Sequence, residues 1–257
     1  MKKLIAFDLD GTLAPSKSPL PDRMALALDS LLDKFQICVI SGGKFAQFER
    51  QLLGNLKADS TKLGKLHLMP TCGTQYYTHN TSKNTWRQVY AENLSEQEKK
   101  DITLALEKGL DALELRVDKL YGEMIEDRGS QVTLSVLGQD IVEVLGEEGV
   151  SIKEAWDPDN KKKQALRDYV ASLIPHLEVK VGGLTSIDIT KHGIDKAYGM
   201  KKLIEILGIN KEDILFFGDK LQEGGNDYPV KAMGIDSLEV SHWQDTVLAL
   251  SAILHVM

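Results

Sequence analysis

Residues 2–13, KKLIAFDLDGTL, join a short apolar run to two aspartates and a glycine. The run at 2–7 is typical of a strand that is buried on both faces of a sheet. Asp8 follows directly, although an unpaired carboxylate inside a protein costs several kcal/mol. We therefore expect Asp8 and Asp10 to lie where this strand ends, at the opening of a functional site.

Two other segments resemble this first strand. QICVIS (36–41) and DILFFGD (213–219) are continuous apolar runs that end in polar residues or glycine. Amphipathic helical patterns occupy 22–35 and 195–208, and Gly208 is a helix stop signal. This order of strands and helices predicts a doubly wound parallel α/β sheet, in which the active crevice lies at the carboxyl ends of the strands.

The middle of the chain has a different pattern. QVTLSVL (131–137) and SIDIT (186–190) alternate polar and apolar residues, which indicates an antiparallel sheet with one polar face. One helix is predicted to open at a capping box formed by Ser95 and Glu98, and another spans 157–174. These segments predict an α+β domain inserted into the core.

The length of the chain also favours two domains. At 257 residues it is long for one simple domain, and a core with an insertion is a natural arrangement. We predict a core formed by 1–82 and 189–257, with a cap domain inserted at 83–188.

Composition narrows the classes of partner. The chain has 31 basic and 38 acidic residues and a net charge of −7, which argues against nucleic acid as the main partner. No apolar run approaches the roughly 20 residues of a membrane helix, and Asp8 interrupts the first run before a signal peptide is complete. The only cysteines, Cys38 and Cys72, form neither a disulfide framework nor a zinc pattern. We expect a cytoplasmic monomer or homodimer that does not bind membranes.

Polar residues follow all three predicted core strands. They are Asp8, Asp10, Gly11 and Thr12 after the first strand, Ser41 and Gly42 after the second, and Asp219, Asn226 and Asp227 after the third, with Lys196 opening the preceding helix. Because parallel strands end side by side, these residues converge on one crevice. Several carboxylates together repel one another unless a divalent cation lies among them, and oxygen ligands on turns suit Mg²⁺.

This residue set is suited to phosphoryl transfer. One aspartate can attack phosphorus to form an aspartyl phosphate, while the other protonates the leaving oxygen and then activates water. Gly11 allows a tight turn around the phosphate. Thr12 and Ser41 can donate hydrogen bonds to phosphoryl oxygens, and Lys196 offsets their charge. The alternatives are a solvated turn for the aspartates and a solvated first helical turn for Lys196.

DLDGT (8–12), Ser41, Lys196 and GDKLQEGGND (218–227) resemble the four motifs of the haloacid dehalogenase superfamily, and the insertion resembles its type IIB cap. More narrowly, IEDRGSQVTLSVLGQ, GGLTSIDITKHGIDK and FFGDKLQEGGND are similar to stretches of eukaryotic-type phosphomannomutases and of their bacterial hydrolase relatives.

The resemblance assigns roles to the core residues. It implies that Asp8 is the nucleophile and Asp10 the acid–base residue. It also implies magnesium bound by Asp8, Asp219 and the Asp10 carbonyl. Asn226 and Asp227 would then stabilise the metal and the phosphate indirectly, without binding the metal themselves.

In the insertion, the resemblance is incomplete. Arg128 aligns with an arginine of the mutases' cap, and Ser186 and Asp188 match their sugar-contacting serine and aspartate; an exposed position on an edge strand is the alternative for Asp188. In an ungapped alignment, two further arginines that hold the distal phosphate in the mutases fall on Tyr121 and Gln139.

The loss of two cations favours hydrolysis over mutase transfer, because a bisphosphate intermediate is then held less tightly. We expect a magnesium-dependent phosphatase of small phosphorylated sugars. The first alternative is a phosphomannomutase, with Arg116, Lys119 or Lys180 as compensating cations. A non-catalytic phosphate-binding regulator, or a receiver-type signalling domain, is a more distant one.

Overall fold

The computed structural model describes residues 2–255. Its strands are β1 (Leu4–Phe7), β2 (Gln36–Ile40), β3 (Leu66–Met69), β4 (Gln75–Asn80), β5 (Thr85–Ala91), β6 (Ile125–Asp127), β7 (Val132–Ser135), β8 (Glu178–Val181), β9 (Ser186–Thr190), β10 (Ile214–Gly218) and β11 (Asp236–Glu239). Its α-helices are α1 (Asp22–Lys34), α2 (Phe45–Phe48), α3 (Ser60–Leu63), α4 (Glu96–Ala112), α5 (Ile141–Leu145), α6 (Glu147–Trp156), α7 (Lys161–Leu173), α8 (Lys196–Leu207), α9 (Tyr228–Ala232) and α10 (Trp243–His255). Glu49–Leu53 forms a π-helical turn directly after α2.

The chain divides into two compact units. The first unit comprises the residues up to Ala91 and those from Ile194 onward, and the second unit is Glu92–Gly193. The first unit contains a seven-stranded sheet in the order β11-β10-β1-β2-β3-β4-β5. Strands β11 to β3 are parallel, whereas β4 and β5 are added antiparallel at one edge. The predicted doubly wound parallel core is confirmed.

The core sheet is apolar on both faces because alternate residues of each strand point to opposite sides. On β1, Ile5 and Phe7 belong to a cluster that includes side chains of α1 and α10. Leu4 and Ala6, on the other face, belong to a cluster with side chains of α8. A strand covered on both faces has no position for a charged side chain, so Asp8 lies immediately beyond its end.

The boundaries of the insertion differ from those predicted. The expected start at residue 83 lies before β5, which pairs with β4 in the core sheet. Residues 85–91 therefore belong to the first unit. All seven positions are exposed or half-buried, so their sequence, TWRQVYA, lacks the apolar pattern that predicts a core strand. The end also shifts, from 188 to Gly193, whose N–H donates to Glu178 Oε2 at 2.9 Å.

The second unit is an α+β structure. Its sheet has the order β6-β7-β9-β8 and is antiparallel throughout. The apolar residues of β7 and β9, with those of α4 and α7, form its core. Helix α4 begins at the predicted capping box, in which the Ser95 N–H donates to Glu98 Oε2 at 2.6 Å and the Glu98 N–H donates to Ser95 Oγ at 3.2 Å.

Within residues 2–255, the structure has no helix that combines the length and the apolar character needed to cross a membrane. Cys38 is buried in β2, and Cys72 is half-buried in the turn after β3. Both cysteines are free thiols.

His67 on β3 makes the stability of the first unit depend on pH. Its ring nitrogens contact Tyr76 Oη at 2.7 Å and Gln36 Oε1 at 2.8 Å. Burial lowers the pKa of His67 from 6.5 to about 4. Between these two values the unfolded chain binds a proton that the folded protein does not, so stability falls as the pH falls.

We expect a drop from pH 7 to pH 5 to cost about 2 kcal/mol through His67 alone. The variant His67→Gln should lose that part of the pH dependence, as measured by urea unfolding at both pH values. His242→Gln, at an exposed histidine, is the control and should keep the wild-type difference. If His67→Gln keeps it as well, the account of His67 is wrong.

Candidate active site

Asp8 occupies the carboxyl end of β1. Its backbone N–H donates to Phe217 O at 2.9 Å, which extends the pairing of β1 with β10 by one residue. The residue is only 4% exposed. The strand pairing therefore holds a carboxylate inside the protein, where it needs a partner of opposite charge.

Lys196 provides that partner. It is the first residue of α8, which is capped by Asp195 through a hydrogen bond from Tyr198 N at 2.9 Å. The Lys196 Nζ donates to Asp8 Oδ1 and to Asp227 Oδ1, each at 2.5 Å. All three side chains are buried. One ammonium group thus links two carboxylates that come from different parts of the chain.

The electrostatics of this group favour an added cation. Burial raises the pKa of Asp8 to about 7; Lys196 opposes this shift and Asp227 adds to it. Burial by itself would lower the pKa of Lys196, but the two carboxylates raise it, so the lysine stays charged. Burial also raises the pKa of Asp219. Fully ionised, these three carboxylates and one ammonium carry a net charge of −2.

Asp8, Asp219 and Asp227 form a group that could hold a metal ion. One carboxylate oxygen from each lies within 4.8 Å of the others. Three carboxylate oxygens converging at the end of a parallel sheet match the preference of Mg²⁺ for hard oxygen ligands. Of the three, Asp227 has both carboxylate oxygens in hydrogen bonds: Oδ1 accepts from Lys196 Nζ, and Oδ2 accepts from Lys220 N at 3.1 Å.

Two glycines make room for these carboxylates. Gly11 has a φ of +87°, and a Cβ at this position would lie 2.5 Å from Asp219 Oδ2. A Cβ at Gly218 would lie 2.6 Å from Asp227 Oδ2. Both distances are shorter than real Cβ contacts, so the two backbones approach the acidic group more closely than any other residue type permits.

The Asp10 carboxylate is held apart from this acidic group. Its Oδ1 accepts from Lys17 N at 2.6 Å and from Gln51 Nε2 at 2.9 Å, and its Oδ2 accepts from Gln47 Nε2 at 3.1 Å. The side chain of Asp10 is therefore not a member of the candidate metal group, which leaves only the expected ligation through its carbonyl. Neither glutamine is among the residues predicted from the sequence; their i, i+4 spacing after Ser41–Gly43 is the signal that points to them.

The predicted phosphate-binding residues have different environments. Ser41 follows β2 and is buried, and its Oγ accepts from Gly43 N at 3.3 Å. Gly42 beside it is half-buried. Thr12 is fully buried, and its Oγ1 has no hydrogen-bond partner among residues 2–255. Asn226, in contrast, is exposed. Their role in binding phosphate stays a prediction.

Three predicted substrate residues lie in the second unit. Arg128 Nε donates to Glu126 Oε2 at 2.6 Å, and its Nη2 donates to Gln139 Oε1 at 3.4 Å. Ser186 and Asp188 are half-buried on β9. Because β9 lies between β7 and β8, the alternative of an edge-strand position for Asp188 is wrong. Asp188 Oδ1 accepts from Thr133 Oγ1 at 2.7 Å and from Gln131 Nε2 at 2.9 Å.

Comparison with known proteins identifies the class of protein: this chain is an enzyme of the phosphotransferase or phosphatase type. The chain belongs to the haloacid dehalogenase-like hydrolases, whose family profile matches residues 5–229. Its relatives include the phosphomannomutase of Encephalitozoon cuniculi, 29% identical over 229 residues, which are 89% of this chain and 84% of that protein. Human phosphomannomutase 1 is 28% identical over 259 residues, 95% of this chain and 89% of that protein.

Solved structures agree with the fold. An IMP-bound IMP-nucleotidase from Plasmodium falciparum superposes with a TM-score of 0.68 at 19% identity, covering 99% of this chain and 68% of that chain. A haloacid dehalogenase-like hydrolase from Bacteroides thetaiotaomicron has a TM-score of 0.61 at 15% identity, covering 98% and 100%. At these identities the similarity establishes the architecture alone.

The contacts of Lys196 predict a large effect on stability. We expect Lys196→Met to lower the free energy of unfolding by about 3 kcal/mol in metal-free buffer, because it leaves Asp8 and Asp227 buried without a counter-ion. Adding Asp227→Asn should recover part of the loss, because one of the two charges is removed.

Urea unfolding in the presence of EDTA measures both effects. The control is Lys201→Met, at an exposed lysine of the same helix, which should change the free energy of unfolding by less than about 0.5 kcal/mol. Equal effects of the two lysine substitutions would contradict the role of the buried ion group.

Proposed function

We propose that this protein is a magnesium-dependent phosphatase of small phosphorylated sugars that acts through an aspartyl phosphate on Asp8. The observation that carries the proposal is the buried group at the end of the core sheet, in which Lys196 contacts Asp8 and Asp227 and three carboxylates converge. Membership of the haloacid dehalogenase-like hydrolases supports it. An intact acidic group of this kind disfavours the reading as a non-catalytic regulator.

The residues present fit a magnesium ion. Asp8, Asp219 and the Asp10 carbonyl would bind it. Asp227 would stabilise the site without binding the ion directly, since Lys196 Nζ and Lys220 N already donate to the Asp227 oxygens. When bound, Mg²⁺ neutralises negative charge on the phosphoryl group. The close approach allowed by Gly11 supports Asp219 as a ligand.

In the first step, an Asp8 oxygen attacks the phosphorus atom while the bond from phosphorus to the sugar oxygen breaks. Asp10 gives its proton to that oxygen, so the sugar leaves as a neutral alcohol. Ser41, directly after β2, would donate its Oγ–H to a phosphoryl oxygen, with Gly42 beside it lining the phosphate site.

In the second step, a water oxygen attacks the phosphorus and gives a proton to Asp10. The bond from phosphorus to the Asp8 oxygen breaks, which releases inorganic phosphate and restores the Asp8 carboxylate. Lys196 remains charged throughout and balances the charge of Asp8 whenever that carboxylate is free.

We assign the second unit the role of the predicted cap domain, with Arg128, Ser186 and Asp188 contacting the sugar. A mutase must also hold a second phosphate, which carries close to two negative charges. Arg128 already pairs with Glu126, and both side chains are only 11% exposed. Its charge is therefore largely offset within the unit, and the neutral Gln139 occupies a position where the mutases have a further arginine. Both points favour hydrolysis.

The second candidate function is a phosphomannomutase, and the names of the relatives support it. Several of them, at 23–29% identity, are phosphomannomutases. Both reactions begin with phosphoryl transfer to Asp8, so the first unit fits either. The fate of that phosphoryl group distinguishes the two reactions.

A cytoplasmic location and a monomeric or homodimeric state stay predictions.

Covalent catalysis predicts a steep loss on substitution of the nucleophile. We expect Asp8→Asn to reduce phosphate release from mannose 1-phosphate by several decades, because the amide keeps the shape but cannot attack phosphorus. EDTA should abolish wild-type activity, and added Mg²⁺ should restore it. Asp22→Asn, at an exposed aspartate of α1, should match the wild type. Turnover above about a tenth of wild type in Asp8→Asn would exclude the mechanism.

A product analysis distinguishes the two candidate reactions. The protein is incubated with mannose 1-phosphate, Mg²⁺ and a trace of hexose bisphosphate, and ³¹P NMR follows the products. We expect inorganic phosphate to form faster than mannose 6-phosphate, because Arg128 is already paired with Glu126 and position 139 carries a neutral glutamine, so a bisphosphate intermediate is held less tightly. Asp8→Asn is the blank. Faster formation of mannose 6-phosphate would establish the mutase reading instead.

A further inference from the structure

Two glutamines hold the carboxyl group of Asp10. Gln51 Nε2 donates to Oδ1 and Gln47 Nε2 donates to Oδ2, and Gln47 Nε2 also donates to Gln51 Oε1 at 2.9 Å. With the backbone N–H of Lys17, every oxygen of the carboxylate has at least one donor. Asp10 is therefore fixed in one orientation by hydrogen bonds from residues that lie 7 to 41 positions away.

The backbone around the two glutamines is built to place them. Gln47 lies on α2 and Gln51 on the π-helical turn that follows, a rare conformation that is frequent at functional sites. Gln51 is only 2% exposed, and its backbone O accepts from Leu20 N at 2.8 Å. A Cβ at Gly43 would lie 2.2 Å from Gln47 Oε1, so a glycine is required for the observed position of Gln47.

An amide suits this position for a chemical reason. Lysine and arginine can only donate hydrogen bonds, so they would hold the ionised carboxylate and oppose its protonated form. A glutamine amide carries a donor at one end and an acceptor at the other. It can donate Nε2–H to a carboxylate, and after a half-turn it can accept a carboxylic acid proton through Oε1.

From these contacts we infer that Gln47 and Gln51 are positioning residues for the proton transfers of Asp10. This inference rests on the proposed function. As phosphorus bonds to Asp8 and its bond to the sugar oxygen breaks, the Asp10 proton moves to that oxygen; a proton from the attacking water later returns to Asp10. The two amides keep the carboxyl group oriented before and after each transfer.

The leaving group provides a selective test. A sugar alkoxide is a poor leaving group and depends on the proton from Asp10, whereas p-nitrophenolate leaves readily without one. A misplaced Asp10 should therefore slow transfer from a sugar phosphate far more than transfer from p-nitrophenyl phosphate. Damage to the fold or to Asp8 would slow both.

The variants are Gln51→Met and Gln47→Met, which keep side-chain length and lose the amide. We expect kcat/KM for mannose 1-phosphate to fall about 10- to 100-fold in Gln51→Met, and kcat/KM for p-nitrophenyl phosphate to fall less than about threefold. The control is Gln97→Met on α4, because Gln97 Nε2 donates to Asp101 Oδ1 at 2.9 Å on an exposed surface. It should not alter either value. Equal losses on the two substrates would overturn the inference.

A second measurement does not depend on activity. The side-chain amide signals of Gln47 and Gln51 in ¹⁵N–¹H spectra, assigned from the variants, should shift in Asp10→Ala protein, while those of Gln97 stay in place. Unmoved glutamine signals would overturn the inference. If the wild type releases phosphate from neither substrate, the proposed function fails, and this spectrum alone decides whether the glutamines hold Asp10.

Discussion

The buried contact of Lys196 with Asp8 and Asp227 is the constraint on which the rest of the core depends. Removing these charges from water costs several kcal/mol for each group, and the cost is offset only if the three side chains meet at hydrogen-bond distance. They come from the ends of β1 and α8 and from the loop after β10, so those elements must be held in register. A parallel sheet covered on both faces by helices provides the necessary rigidity, because the strand ends cannot shift without disturbing the packed core.

The turn at Thr71–Gly73 contacts both the residues that follow β2, Ser41–Gly43, and the helix that carries Lys196. Thr71 N donates to Gly43 O at 3.0 Å, and Cys72 N donates to Ser41 O at 2.9 Å. A Cβ at Gly73 would lie 2.3 Å from the Cα of Gly199, so this turn lies directly against α8, one turn beyond Lys196. The same short segment therefore supports the residues after β2 and the helix that carries the lysine. Small residues are needed there because backbone lies against backbone.

The two units contribute differently to the choice between hydrolysis and mutase transfer. The first unit contains the acidic group, Lys196 and the glutamine pair around Asp10, and these features suit phosphoryl transfer to and from Asp8 in either reaction. The second unit contains Arg128, directly after β6, and Asp188 on β9, each already engaged by neighbours within the unit. Under the proposed function, the positive charge available on this unit, rather than the chemistry of the core, would decide whether a second phosphate is retained.

The sequence by itself determined the parallel core, the α+β insertion, the capping box of α4 and the placement of Asp8 beyond a buried strand. These features follow from the local periodicity of apolar residues and from the free-energy cost of burying a charge, and both can be judged from the order of residues alone. The tertiary structure alone decided that β5 belongs to the core sheet, that Asp188 lies on an inner strand, and that Gln47 and Gln51 hold Asp10. Pairing between strands and hydrogen bonds between distant side chains depend on which segments fold side by side, and hydrophobic pattern does not encode that choice for polar or half-exposed residues.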